Sequence, residues 1–227
     1  MPPQPLANYR TLCTRYFGPE AIDRRPEFAK FVAQSIITAA HGEHDWSVFL
    51  SRLVGTQAYH VVDMYSAVQT DRARRDLIIS SANTRLTDEF YRTFWAVLFV
   101  WGESCKDRNI FAHWISGWAT ELPDVLLFVH PDHLAEWGAR IHANTNPINL
   151  DDTKILAYRQ PDAELAARNI AEARQFVLRI GDVLWLRNTD LSNSQRTLEQ
   201  LIRQPRVEAA LAVYDRRRAA QGSSRPR

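Results

Sequence analysis

Within the stretch CKDRNIFAHW, residues 105–114, an arginine, an amide and a histidine stand within six positions: Arg108, Asn109 and His113. Each type has a use in phosphoryl chemistry. An imidazole that titrates near neutrality takes up and returns protons. A planar guanidinium holds a non-bridging phosphate oxygen and stabilises charge gathering there. An amide orients either group. Together they are the parts needed to cleave RNA without metal, using the ribose 2′-hydroxyl as internal nucleophile. On a helix, Asn109 and His113 share a face, being four apart. Arg108 lies about 140° round from His113, and its long side chain swings back. Small Ala112 leaves room beside the ring. Trp114 and Trp118 flank the motif and are candidate platforms for a nucleobase.

The spacing alone carries little weight. With 25 arginines and seven histidines in 227 residues, an Arg five positions before a His is expected about 0.8 times by composition. The same residues also fit a structural role. Arg108 would then cap a helix C-terminus, where a cation gains roughly 0.3–1 kcal/mol, and His113 would donate to a buried carbonyl.

The elements that must position these residues read mainly as helix. From Pro26, Phe28, Phe31, Val32, Ser35, Ile36 and Ala39 form a stripe at spacings of three and four, which HGEHD (41–45) closes. Asp45 is an N-cap candidate for a second helix. Its stripe runs from Trp46 through Phe49, Leu53 and Val61 to Val68, weakened at Gly55 by about 1 kcal/mol. A third, shorter helix starts at Thr70 or Asp71. A fourth starts near Thr87, and its ridge of Phe90, Phe94, Val97, Leu98 and Trp101 leads directly into the motif.

Beyond His113 the texture changes. WISGWATELPD is turn-rich, while DVLLFVHPD and TKILAYRQ have the composition of short buried strands that pair with each other. HLAEWGARIHA suggests a brief helix between them, and NTNPINLDD a loop. Helix resumes at Pro161, with Leu165, Ile170, Phe176, Val177 and Ile180 on one face, and ends near Gly181. A last amphipathic piece covers 194–216, broken or kinked at Pro205. The expected organisation is a loose proline-rich lead-in over 1–20, one domain over 21–217 with a β insert about 124–158, and a disordered basic tail over 218–227. The fold class is mainly α: an up-and-down helical bundle with a small β-hairpin after the fourth helix.

Composition narrows the setting. A hydrophobic fraction of 45% and seven tryptophans fill a substantial core, which excludes wholesale disorder. A formal charge of +2 neither demands nor forbids a polyanion. Only three lysines accompany the 25 arginines, a skew that a GC-rich genome explains. Cys13 and Cys105 form no CxxC pair, so neither a disulfide framework nor a zinc knuckle is expected. A reducing cytoplasm is the simplest compartment. No apolar run approaches the roughly 20 residues of a membrane span, and MPPQPLANYR lacks the pattern of a signal peptide.

Two histidine clusters invite a metal reading. His41, Glu43, His44 and Asp45 include zinc-ligand types at helical spacing, but as part of a turn they read better as a solvated loop. His130 and His133 in HPDH read the same way. No cofactor and no metal are expected, and a metal enzyme around His41 and His44 is the weakest of three functions considered.

The segment Arg108-Asn109-Ile110-Phe111-Ala112-His113 resembles the signature of the HEPN superfamily: Arg, a polar residue, a few more positions, then His. Upstream, RRDLIISSANTRL (74–86) and DWSVFLSRL (45–53) resemble preceding bundle helices of HEPN-like bacterial proteins. Downstream, KILAYRQPDAELAARNIAEARQFVLRI resembles the strand-then-helix ending of some of them. The resemblance spans roughly 25–182, with only the short motif sharp. One departure is plain: the HEPN members that the motif resembles place Gly directly after the His, whereas Trp114 stands there and Gly117-Trp118 follow later.

The resemblance implies a four-helix bundle that dimerises and brings two motifs to a shared cleft. Many members are metal-independent ribonucleases, often toxins or defence effectors, and others are noncatalytic binding modules. Carried over, Arg108 is the phosphate clamp, His113 the acid/base and Asn109 their polar partner. The expected function is thus an endoribonuclease working at a homodimer interface in the cytoplasm. Its partners are RNA and an antitoxin or other regulator, with no membrane involved. The alternative is a dimeric HEPN-like interaction or nucleotide-binding module without catalysis.

Overall fold

Val125 to Val129 alternate side chains to two faces that are both covered, so an unbroken apolar run forms a strand. In the computed structural model, which describes residues 3–9, 13–55, 58–143, 150–220 and 222, this run belongs to a five-stranded antiparallel sheet. Its strands are β1 (Gln4–Pro5), β2 (Arg15–Phe17), β3 (Ile115–Ala119), β4 (Leu122–Val129) and β5 (Ile155–Arg159). Their spatial order is β1-β5-β4-β3-β2. The helices are α1 (Glu20–Arg24), α2 (Pro26–Val54), α3 (Ala58–Ala67), α4 (Asp71–Arg85) and α5 (Asp88–His113). They continue with α6 (Pro131–His142), α7 (Gln160–Thr189), α8 (Leu191–Ile202) and α9 (Pro205–Ala220). The mainly helical class is as expected. No described helix is long and apolar enough to cross a membrane.

The chain divides into two compact units. One takes Met1–Ile37 and Cys105–Ile170, the other Thr38–Ser104 and Ala171–Arg227. The first unit is built on the sheet. β4 and β5 pair as expected, Val125 opposite Arg159 and Val129 opposite Ile155. On one face, Val125, Leu127 and Val129 meet Leu6, Leu150 and Ile155, with Leu134 and Trp137 of α6 packed against them. On the other, Leu126, Phe128 and Tyr158 meet Ala21 of α1, Phe28 of α2, Phe111 of α5, and Ala163 and Ala166 of α7. Burying a Leu or Phe side chain fully is worth about 1.5–3 kcal/mol, so this two-sided layer is what holds the end of α5 in place.

The small hairpin is therefore a correction. WISGWATELPD, read as turn-rich, contains β3, which pairs with β4 through Ile115 opposite Val129. The lead-in supplies both edges: Gln4 lies opposite Ala157 on β5, and Tyr16 opposite Trp118 on β3. At the far end α9 runs to Ala220, so 218–220 of the expected tail are helical. Residues 221 and 223–227 of that tail lie outside the described residues, as do 144–149 of the expected loop.

The regular elements among the second unit's described residues are all helices. α2 does not stop at HGEHD but runs on to Val54, 29 residues in all. Its polar residues His41 and His44 face solvent, while Trp46, Phe49 and Leu50 are buried. The break comes at Gly55, whose φ of 72° is open to glycine and whose N–H donates to the Ser51 carbonyl. The expected helix to Val68 is thereby divided. Thr70 caps α4, its hydroxyl accepting from the Ala73 N–H at 3.2 Å. α7 continues past Gly181 to Thr189. Pro205 opens α9, where a missing N–H is harmless.

Candidate functional site

Residues 105–113 form the last turns of α5, and the Trp114 N–H closes them by donating to the Ile110 carbonyl. Phe111 is buried against Phe128 and Tyr158, with ring centroids 5.3 and 5.0 Å away. That anchored face leaves the opposite one in water. Lys106, Asn109 and His113, at spacings of three and four, are all exposed, with exposed Ala112 beside them. The structure thus brings Asn109 and His113 onto one solvent-facing strip. Neither side chain has a hydrogen-bond partner among the described residues. The role in which His113 donates to a buried carbonyl is not realised.

Arg108 is half-buried, and its Nε is enclosed without an acceptor. No described carboxylate pairs with its guanidinium, and no described carbonyl accepts from it. Among the described residues this cation has no neutralising partner. Some arginines elsewhere in the chain are paired with carboxylates, as Arg92 is with Asp215 and Arg174 with Asp45. Arg108 is available for an anion that approaches the end of α5.

The two flanking tryptophans are partly buried. Trp114 meets His130 edge-on at 5.5 Å and 89°. Trp118 stacks on Tyr16 at 5.2 Å and 18°, a cross-strand pair at the sheet edge. Both also pack on the helix-covered face of the sheet, so part of each ring serves the core.

Sequence reasoning missed Asp107 and Tyr158. The Tyr158 hydroxyl donates to Asp107 Oδ1 at 2.8 Å. Tyr158 is fully buried, and burial holds its hydroxyl well above the ordinary tyrosine range, with the Asp107 charge adding to the shift. Burial also raises the Asp107 carboxyl, opposed by the hydrogen bond from Tyr158. Ser104, Asp107 and Phe111 fall at spacings of three and four on the inward stripe of α5. A carboxylate in that stripe was the available signal that a polar partner waits inside.

The metal readings find no support in the donor geometry. Glu43 accepts from Tyr65 at 2.9 Å, and Asp45 accepts from Arg174 at 2.7 Å, so both carboxylates are engaged by other side chains. His130 accepts from the Asp132 N–H and caps α6. Among the described residues no three His, Cys, Asp or Glu side chains converge as a metal site would require. Family models, curated proteins and solved structures yield no match to this chain.

Proposed function

We propose that the chain is a HEPN-like, metal-independent endoribonuclease that acts as a cytoplasmic homodimer, with Arg108, Asn109 and His113 of two copies lining a common cleft. The observation that carries this reading is the state of the motif on α5. His113 and Asn109 stand exposed and unengaged, next to a guanidinium that no described carboxylate neutralises. A core histidine and a capping arginine would each have found a partner inside the protein.

In the proposed reaction the 2′-oxygen attacks phosphorus while His113 of one copy takes the 2′-hydroxyl proton. The bond from phosphorus to the 5′-oxygen breaks, and the partner copy's histidine protonates that oxygen. Arg108 holds the non-bridging oxygens as negative charge accumulates on them. The products are a 2′,3′-cyclic phosphate and a 5′-hydroxyl. Asn109, one turn from the imidazole and unengaged without substrate, bonds to it when RNA occupies the cleft, and Trp114 and Trp118 offer ring surface to flanking bases.

The test is incubation of purified protein with single-stranded RNA in excess EDTA. Wild type generates cyclic-phosphate ends, and His113→Ala and Arg108→Ala each reduce the rate by 100-fold or more, on the order of the usual loss of an acid/base group. RNA that is bound but left intact by wild type would instead identify the noncatalytic module. Cleavage unchanged by His113→Ala would refute the assignment of the site.

A further inference from the structure

The Tyr158 side chain grips α5 at two points one turn apart. Its hydroxyl reaches Asp107 at 2.8 Å, and its ring meets Phe111 edge-on at 5.0 Å. The ring is itself held, being fully buried and edge-on to Phe128 at 5.4 Å. Between and just beyond the gripped positions lie Arg108, Asn109 and His113. We propose that Tyr158 is a positioning residue: through Asp107 it fixes the rotation of α5 about its own axis, and so the direction in which Asn109 and His113 leave the helix.

Phe111 alone would not do this. Apolar contact is non-directional and tolerates small rotations, whereas a hydrogen bond weakens steeply once misaligned. A side chain lies about 5–6 Å from the helix axis, so a turn of about 20° moves it by about 2 Å. Misplacement by about 1 Å is enough to lower a catalysed rate on the order of 100-fold. A leucine at 107 would fill the same space, so an aspartate there trades apolar burial for a defined angle. The last turn of a helix is also where fraying begins, and His113 closes α5.

The kinetic consequence rests on the ribonuclease reading; the structural one does not, and the experiment has an arm for each. Hydrogen exchange is followed in full-length wild type, Tyr158→Phe, Asp107→Leu and Asp107→Asn, the last keeping an oxygen that accepts from Tyr158. Amides of residues 109–113 exchange at least 10-fold faster in Tyr158→Phe and Asp107→Leu, while Asp107→Asn stays within threefold of wild type and α4 is unchanged in all. In cleavage of single-stranded RNA, Tyr158→Phe lowers kcat at least 30-fold with KM altered less than twofold, and Asp107→Asn retains most of the rate. Protection over 109–113 within twofold of wild type in Tyr158→Phe overturns the proposal, as does loss of protection spread evenly over the chain. Should wild type fail to cleave, the ribonuclease reading falls while the exchange arm still decides the positioning role.

Discussion

Trp101 lays its indole across α2 at Gly42: a Cβ at that position would fall inside the ring atoms Cη2, Cζ3 and Cζ2. Both residues belong to the helical unit, and Trp101 is buried. Glycine is required there by proximity rather than by backbone angle. Gly42→Ala would normally stabilise a helix by about 1 kcal/mol. Here it should destabilise by roughly 1–3 kcal/mol, because the indole has to shift in a packed interior. Urea denaturation compares the two chains, and a stabilised Gly42→Ala would show that the indole moves aside freely.

Among the described residues Arg25 has no carboxylate partner; its guanidinium donates to backbone carbonyls. It donates to Val125, Ala119 and Leu122 at 3.3, 3.0 and 3.1 Å, tying the entry to α2 to the β3–β4 turn. Removing a charged donor from part-buried acceptors is expected to lower stability by about 1.5–3 kcal/mol. Arg25→Met keeps the stem and isolates the loss of donors. Thermal melts of Arg25→Met and wild type measure it; equal melting temperatures would assign those carbonyls to water instead.

The motif was legible because it is local. Six consecutive positions on one helix carry it, and the ridge from Phe90 to Trp101 already announced that helix. Its exposure was not legible, since the anchoring contacts of Phe111 come from β4 and β5. Tyr158 lies 51 positions from Asp107, and no periodicity relates them. The sheet was half visible. β4 and β5 are rich in β-branched and aromatic residues, but β3 contains Ser116 and Gly117, and the edge strands span two or three residues in proline-rich sequence. The false boundary at HGEHD arose because polar residues on the outer face of a long helix look like a turn. Gly55, taken as a weak point, is where α2 ends.

Asp45 shows how the same segment misled in chemistry. Its side chain is only 10% exposed and is paired with Arg174 at 2.7 Å. Asp45→Ala would leave the guanidinium without its counter-charge. The expected loss is about 3 kcal/mol, at the low end for broken buried pairs because Arg174 keeps access to water. EDTA should leave the melting temperature of wild type unchanged, since both carboxylates of the segment are committed to Tyr65 and Arg174. A downward shift on chelation would reinstate a metal at His41 and His44.

Asp107 makes the pH dependence of the sheet-based unit testable. Burial raises its carboxyl in the native chain, with nearby Asp162 adding and the Tyr158 bond and Lys106 opposing. A native pKa above the unfolded value means that the folded state binds this proton more readily. Stability is therefore greater below the unfolded value and declines as pH rises through the interval up to the raised one. Where it is ionised, the buried carboxylate weakens the fold. Asparagine accepts the same bond without the charge. Asp107→Asn should accordingly be more stable than wild type at pH 7, and that advantage should shrink as pH falls through the interval between the raised native value and the ordinary aspartate value, levelling off below about 4. Guanidinium midpoints of both chains across this range provide the measurement, and a difference that does not vary with pH would mean that Asp107 is solvated as an ordinary surface carboxylate.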